Sequence, residues 1–399
     1  MAGFDTLKAL PPDALLGLMA AFQADPRPEK IDLGVGVYRD ETGNTPIMTA
    51  VTKAEELLLS RETTKVYEGP RGNANFCAHI ESTVFGSGNA SLLERVTSLT
   101  TPGGCGALYL AAVFAKRISG NPSVWISAPS WPNHTAITRQ AGLDVKDYPY
   151  AAPGRTQIDF DAMVAAFQTA KPGDLIILQG PCHNPTGIDL TLSQWRTLAA
   201  LIERKGLIAL IDIAYHGLGD GLEEDLKGVR AALATLPSAL VSYSCSKNFG
   251  LYRERTGCLI ALCETAKSAQ IATTHLADIA RASYSMPPAH GAAIVNTILS
   301  DTGLKKDWET ELSDMRARIK HLRRAFANQL LQASDIDELV AIAGQKGMFS
   351  MLPLPSHAAA DLAAKDGIYL PTSGRINLAG LGMHQIEFAA TKLGLALQY

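Results

Sequence analysis

The chain has 399 residues, 47% hydrophobic and 19% charged, a composition that suits a compact globule of about two or three domains and excludes a disordered or fibrous chain. Its formal net charge of -3 leaves no electrostatic footprint for nucleic acid or an anionic membrane, so small-molecule chemistry is expected. The six cysteines lack the spacing of a disulfide framework or zinc site, and no basic region followed by an apolar run opens the chain, so reduced thiols, no metal and a cytoplasmic protein are expected.

In chain order, the apolar spacing from Leu7 to Phe22 predicts a helix with Pro11-Pro12-Asp13 as its start signal. Ile31 to Tyr38 alternates like a strand, although Gly34 and Gly36 bring its backbone close to something else or mark a weak edge. Thr49 to Ser60 reads as helix, followed by a loop that carries Tyr67. Ser98-Leu-Thr-Thr-Pro-Gly-Gly-Cys-Gly106 then feeds a helix from Ala107 to Arg117; a glycine-rich turn before a helix amino terminus can bind an anion, or can simply be a tight turn.

From Val124 to Tyr243 apolar strands (124–127, 144–148, 174–180, 207–213, 239–243) alternate with helices such as 159–170 and 193–205. That alternation predicts a mostly parallel sheet covered on both faces, with a ligand beyond the carboxyl ends of its strands. Thr256 to Cys263 is a further strand, 292–331 a long helical region, and Gly347 to Tyr399 a mixed tail that joins the amino-terminal helix in a smaller domain.

Several strand ends are polar. The first leads to Trp131, a stacking surface or a core aromatic, and the third to His183-Asn184-Pro-Thr-Gly187, which reads equally as an Asn-Pro turn. Asp212 stands in the apolar run Leu-Ile-Ala-Leu-Ile-Asp-Ile-Ala-Tyr215, where a buried carboxylate is costly without a cation or donors to meet it. A protonated pyridine nitrogen would meet it, with Tyr215 and Asn184 as donors to the phenolate oxygen of the same ring; a capped turn is the plainer reading. The last strand runs into Ser244-Cys-Ser246-Lys247 and on to Arg255. Two hydroxyls and a guanidinium match a phosphate dianion, and a lysine beside a bound phosphate suggests pyridoxal phosphate, whose aldehyde needs such an amine. Alone, the motif could equally be a surface lysine after a core strand.

Taken together, Asp-Leu-Gly-Val-Gly-Val-Tyr-Arg-Asp-Glu (32–41), His-Asn-Pro-Thr-Gly (183–187), Asp-Ile-Ala-Tyr (212–215), Ser-Cys-Ser-Lys-Asn-Phe-Gly (244–250), Tyr-Ser-Met-Pro-Pro-Ala-His-Gly (284–291) and Gly-Met-Phe-Ser (347–350) make the chain resemble, end to end, the aspartate and aromatic amino acid aminotransferases of the pyridoxal-phosphate fold type I superfamily. The resemblance implies an α/β fold with a large cofactor-binding domain over residues 46–314, its mostly parallel sheet sandwiched by helices. A smaller α/β domain would combine 1–45 with 315–399.

The resemblance also implies roles. Lys247 would bond the cofactor aldehyde and move the proton at the substrate α-carbon, Asp212 would hold the pyridine nitrogen, and Tyr215 and Asn184 would bond the phenolate oxygen. Trp131 would stack on the ring. Gly103, Gly104, Cys105, Ser244, Ser246 and Arg255 would cradle the phosphate, joined by Tyr67 of the other subunit. Arg375 would grip the substrate α-carboxylate beside Gly36 and Phe349, with Trp131 and Asn184 also near the substrate. Arg281 from the neighbouring subunit would meet a side-chain carboxylate, so a homodimer with shared sites is implied.

Three positions depart from the aspartate-preferring pattern. Cys105 replaces a common threonine, and Val66 and Met286 stand where Asn is frequent. Such apolar replacements favour an aromatic side chain by roughly 1 to 3 kcal/mol. Dual aromatic and dicarboxylic specificity with 2-oxoglutarate as acceptor is therefore expected, with an aspartate-preferring enzyme as the alternative. A pyridoxal-phosphate decarboxylase or lyase would share Lys247 and Asp212 but not need both Arg375 and Arg281. A non-catalytic relative would lack the lysine or a pocket arginine, and a nicotinamide dehydrogenase would need a glycine fingerprint that is absent.

Overall fold

The computed structural model describes residues 3–10 and 13–398. Its centre is a seven-stranded sheet in the order β2-β8-β7-β6-β5-β3-β4, formed by β2 Val96–Pro102, β3 Val124–Ala128, β4 Val145–Pro149, β5 Leu175–Gln179, β6 Ile208–Ile213, β7 Ala239–Ser244 and β8 Thr256–Leu262; β1 is the short Ile31–Asp32. Strands β3 to β7 run parallel, whereas β8 is antiparallel to both β7 and β2. Successive side chains enter opposite layers: Ile176, Leu178 and Ile211 join one apolar cluster, and Leu175, Ile177 and Leu210 the other. Because both faces are covered, β5 and β7 are buried at every residue, which is why β5 is apolar up to Gln179 and β7 begins with the apolar run Ala239-Leu-Val241.

A third apolar cluster unites Ile31 and Leu33 with Leu322, Phe326, Leu330, Ile376 and Leu393. β1 pairs in parallel with β10 (Ile368–Tyr369), and β9 (Phe349–Met351) pairs antiparallel with β11 (Arg375–Asn377). The helix Thr302–Ser334 belongs to both regions: Trp308, Leu312 and Ile319 pack into the sheet's core, and Leu322, Phe326 and Leu330 into the third cluster.

Four boundaries differ from the sequence reading. The strand expected over 31–38 stops at Asp32, because Asp32 Oδ1 accepts the amides of Gly34 (2.9 Å) and Val35 (3.1 Å) and turns the chain. The helix expected from Leu7 is Ala14–Ala24, with Asp13 accepting from Leu15 N and Leu16 N; Pro11 and Pro12 lie outside the described residues. The glycine-rich turn before Ala107 is itself helix, which spans Gly103–Ser119. The long helical region divides into His290–Ser300 and Thr302–Ser334, where the Asp301 carboxylate takes the amides of Gly303 and Leu304, each at 2.9 Å.

Candidate active site

The carboxyl ends of the parallel strands surround a cavity of about 220 Å³. β6 delivers Asp212 and, three residues on, Tyr215; β7 delivers Ser244, Ser246 and Lys247. The turn after β5 supplies Asn184, the turn after β3 supplies Trp131, and the first turn of helix Gly103–Ser119 supplies Gly104 and Cys105. Gly36 and Arg255 complete the set of expected residues on the cavity wall.

Asp212 is 7% exposed, and its Oδ2 lies 3.0 Å from His134 Nε2. His134 is buried and meets Ser130 Oγ at 2.9 Å through Nδ1; Ser130 in turn accepts from Gln179 Nε2 at 3.2 Å. Among the described residues no donor reaches Asp212 Oδ1. Asn184 Nδ2 donates to the Tyr215 hydroxyl at 3.2 Å, and burial pushes the Tyr215 phenol above its ordinary range, opposed by Arg375 and Asn184. Lys247, half-buried, holds its amine 4.7 Å from the centre of the Tyr215 ring. Desolvation lowers the Lys247 pKa from the ordinary lysine value, with Asp212 and Cys105 acting in the opposite direction.

At the other end, β2 runs straight into the helix Gly103–Ser119, and no side chain caps that helix's amino terminus. Its first amides therefore lack intrahelical partners. Close approach is built with glycine. A Cβ on Gly103 (φ +66°) would stand 2.6 Å from Arg255 Nη2, one on Gly104 3.2 Å from Ser244 Cβ, and one on Gly257 2.5 Å from the Gly103 carbonyl carbon. Ser244 Oγ donates to Ser246 Oγ at 3.1 Å, and Arg255 is oriented by its bond to Tyr252 O at 2.9 Å.

Arg375 stands behind Asn184. It is 8% exposed, with Nη1 3.5 Å from Asn184 Oδ1, Nη2 donating to Gly34 O at 2.5 Å, and its guanidinium 4.6 Å from the centre of the Phe349 ring. Burial lowers its pKa, partly offset by Tyr215 and Asp32. The Gly34 carbonyl is aimed by the Asp32 turn, which is locked from outside by Arg39 on Asp32 Oδ2 (2.9 Å) and by Asn377 Nδ2 on Val35 O and Val37 O (2.6 and 2.8 Å).

Five expected residues do not line the cavity within this chain: Gly103, Phe349 and Arg375 stand behind its wall, against Arg255, Gly36 and Asn184, whereas Tyr67 and Arg281 lie away from it. Tyr67 is 84% exposed, next to the exposed Val66, and Arg281 is exposed near the end of helix Ala266–Tyr284 with Nη1 on Ser285 Oγ at 2.6 Å. Conversely, His134, Gln179 and Tyr252 belong to the site without having been singled out. The signal for His134 was its place one helical turn beyond Trp131; for Tyr252, whose phenol burial pushes up to about 12 and which accepts from Tyr38 N at 3.0 Å, it was its place five residues beyond Lys247.

The sequence model of the family described as aminotransferase class I and II matches residues 28–393. The chain belongs to that family. The aminotransferase is 47% identical to a tyrosine aminotransferase of Rhizobium meliloti (strain 1021), over 95% of this chain and 96% of the relative. It is 44% identical to an aspartate aminotransferase of Escherichia coli (strain K12), over 95% and 96%. Its fold superimposes with a TM-score of 0.95 and 36% identity on the crystal structure of an aromatic-amino-acid aminotransferase from Burkholderia pseudomallei covalently bound to pyridoxal phosphate, covering all of both chains.

Class I aminotransferases use pyridoxal phosphate, and the residues present fit it. An amine without a hydrogen-bond partner among the described residues, an Asp212 carboxylate oxygen on the cavity wall likewise free, and a glycine-cleared cradle of helix amides, hydroxyls and a guanidinium complement an aldehyde, a ring nitrogen and a phosphate.

Proposed function

We propose that this aminotransferase moves the amino group of aromatic and dicarboxylic L-amino acids to 2-oxoglutarate by a ping-pong mechanism, the first oxo acid leaving before the acceptor binds. The observation that carries the reading is the placement of Lys247 and Asp212 on adjacent strand ends, facing one cavity, with the buried Arg375 against Asn184 at its back. Pyridoxal phosphate, when bound, supplies the electron sink that makes the α-proton removable. Asp212, oriented by His134, would hold the proton at the cofactor's ring nitrogen, and Asn184 and Tyr215 would bond its phenolate oxygen. Gly103, Gly104, Cys105, Ser244, Ser246 and Arg255 would hold the phosphate, and Trp131 would stack on the ring. Lys247, whose pKa desolvation lowers from the ordinary lysine value, would take and return the α-proton. Arg375 binds the α-carboxylate with Gly36 and Phe349 beside it.

The dual specificity is supported by Cys105 on the cavity wall, by Val66 and Met286 in place of polar groups, and by relatives named for tyrosine and for aspartate. The aspartate-preferring alternative draws on the latter relative. With 2-oxoglutarate as acceptor, kcat/KM for phenylalanine and aspartate should agree within about 100-fold, the discrimination one apolar pocket can supply. Exclusive use of aspartate would remove the aromatic half of the proposal.

The assembly belongs to the same reading: a homodimer in which Tyr67 and Arg281 enter the neighbouring site. Its support is the exposure of Tyr67 and Val66, and of Phe4, Leu7 and Leu10, apolar groups without cover among the described residues. We assign residues 46–314 to the cofactor-binding domain and 1–45 with 315–399 to a smaller domain that closes over substrate and expels water. A cytoplasmic location agrees with the free state of the six cysteines; no helix among the described residues is long and apolar enough to cross a membrane.

Truncation of Arg375 tests the carboxylate site. Arg375→Ala should cost about 2 to 5 kcal/mol in kcat/KM, because a desolvated carboxylate loses its partner. Near-normal kcat/KM in that variant would place the α-carboxylate elsewhere.

A further inference from the structure

Arg323 is buried to 1% exposure in the helix Thr302–Ser334, directly after that helix crosses from the sheet's core into the third cluster. An arginine so placed ordinarily pairs with a carboxylate. Here every acceptor is neutral. Nη1 donates to Ser350 Oγ at 2.5 Å and Ile342 O at 3.4 Å; Nη2 donates to Gly347 O at 2.6 Å, Phe349 O at 2.9 Å and Lys346 O at 3.5 Å. One guanidinium thus gathers the whole turn 346–350 and the start of β9. The second anchor of that turn is Lys346 N donating to Gly187 O at 2.7 Å, where Gly187 (φ +69°) leaves no room for a Cβ against the Phe349 carbonyl.

What this turn presents to the site is the ring of Phe349. A Cβ on Gly36 would be 2.9 Å from Phe349 Cζ, the Tyr215 ring meets it edge-on at 5.8 Å and 90°, and the Arg375 guanidinium lies 4.6 Å from its centre. β9 also pairs with β11, so Met351 stands opposite Arg375 and Phe349 opposite Asn377. The backbone that Arg323 holds is therefore the floor under three groups assigned to the substrate carboxylate. We propose that Arg323 is a positioning residue for α-carboxylate recognition, acting through the 346–350 backbone and the Phe349 ring on Arg375 and Gly36, and touching neither substrate nor cofactor. The proposal rests on the reading of Arg375 as the carboxylate clamp.

The test compares Arg323→Gln and Ser350→Ala with the parent holoenzyme on two donors: phenylalanine, and phenethylamine, which has the same side chain but no carboxylate. A misplacement on the order of 1 Å at a positioning site costs up to about 100-fold. The ratio of phenylalanine to phenethylamine reactivity in the first half-reaction should fall about 10- to 100-fold in Arg323→Gln and about 3- to 10-fold in Ser350→Ala, carried mainly by KM. Phenethylamine reactivity and the absorbance of the bound cofactor should stay unchanged. A purely structural role would lower Tm and affect both donors alike, and an unchanged ratio in folded Arg323→Gln would overturn the proposal. Should that variant not fold, an unchanged ratio in Ser350→Ala does so. Arg375→Ala measured alongside separates the two claims: if it too leaves the ratio unchanged, the clamp assignment fails, whereas a fall in Arg375→Ala alone rejects only Arg323. The double variant Arg323→Gln/Arg375→Ala should be little worse than Arg375→Ala, since both act on one contact.

Discussion

Lys247→Ala should lower kcat by about 10⁴-fold or more, since the variant loses general acid–base catalysis and the amine that bonds the cofactor together. The fold should survive. Lys247 has no hydrogen-bond partner among the described residues, and desolvation outweighs the attraction of Asp212 in setting its pKa, so removing the amine takes away a cost and no hydrogen bond. The measurement is a pre-steady-state half-reaction together with a melting curve: rate lost, Tm held or raised. Borohydride reduction of the parent enzyme loaded with pyridoxal phosphate should tag the peptide containing Lys247. A tag on another lysine, or steady-state turnover within tenfold of the parent in Lys247→Ala, would refute the assignment.

The second large effect belongs to Asp212. Removing one partner of a buried charge pair leaves the other uncompensated, which costs about 3 to 5 kcal/mol, or roughly 10²- to 10⁴-fold in rate. In Asp212→Ala that loss should appear in kcat, because the ring nitrogen would no longer hold its proton while the α-carbon is deprotonated. His134 would lose its acceptor as well, so the change reaches Ser130 and Gln179 through their shared bonds. Asp212→Asn keeps an oxygen for His134 Nε2 but no charge. It should behave like Asp212→Ala in rate while retaining more stability. If Asp212→Asn turned over like the parent, the charge would not be what the site uses.

Much of this arrangement was legible beforehand, for a local reason. A parallel sheet buried on both faces is written as apolar runs, so the polar residues that interrupt or end those runs are visible against them. Asp212 is conspicuous inside Ile208–Ile213, and Lys247 lies three residues after Ala239–Ser244 ends. The glycines at 103 and 104 were read as a turn ahead of the helix, able to bind an anion, and the turn was misplaced. Helix geometry begins at Gly103 itself, since Gly257 on the neighbouring strand lets the two backbones touch. The stretch 31–38 was misread because alternation is a strand signal whether or not a partner exists. Only Ile31 and Asp32 find one, in β10, and the Asp32 carboxylate then turns the chain.

The sequence by itself determined which groups stand at the strand ends: the acid of Asp212 inside one apolar run and the hydroxyls and amine of Ser244, Ser246 and Lys247 directly after another. The tertiary structure alone decided who serves whom. His134 orients an Asp212 that is 78 residues away, Asn184 meets an Arg375 that is 191 away, and Arg323 ties the 346–350 turn that carries Phe349 against Arg375. Such pairings depend on how strands are ordered and where one long helix crosses between two cores. A hydroxyl, imidazole or guanidinium has the same local signature whatever it eventually touches, so only packing can assign its partner.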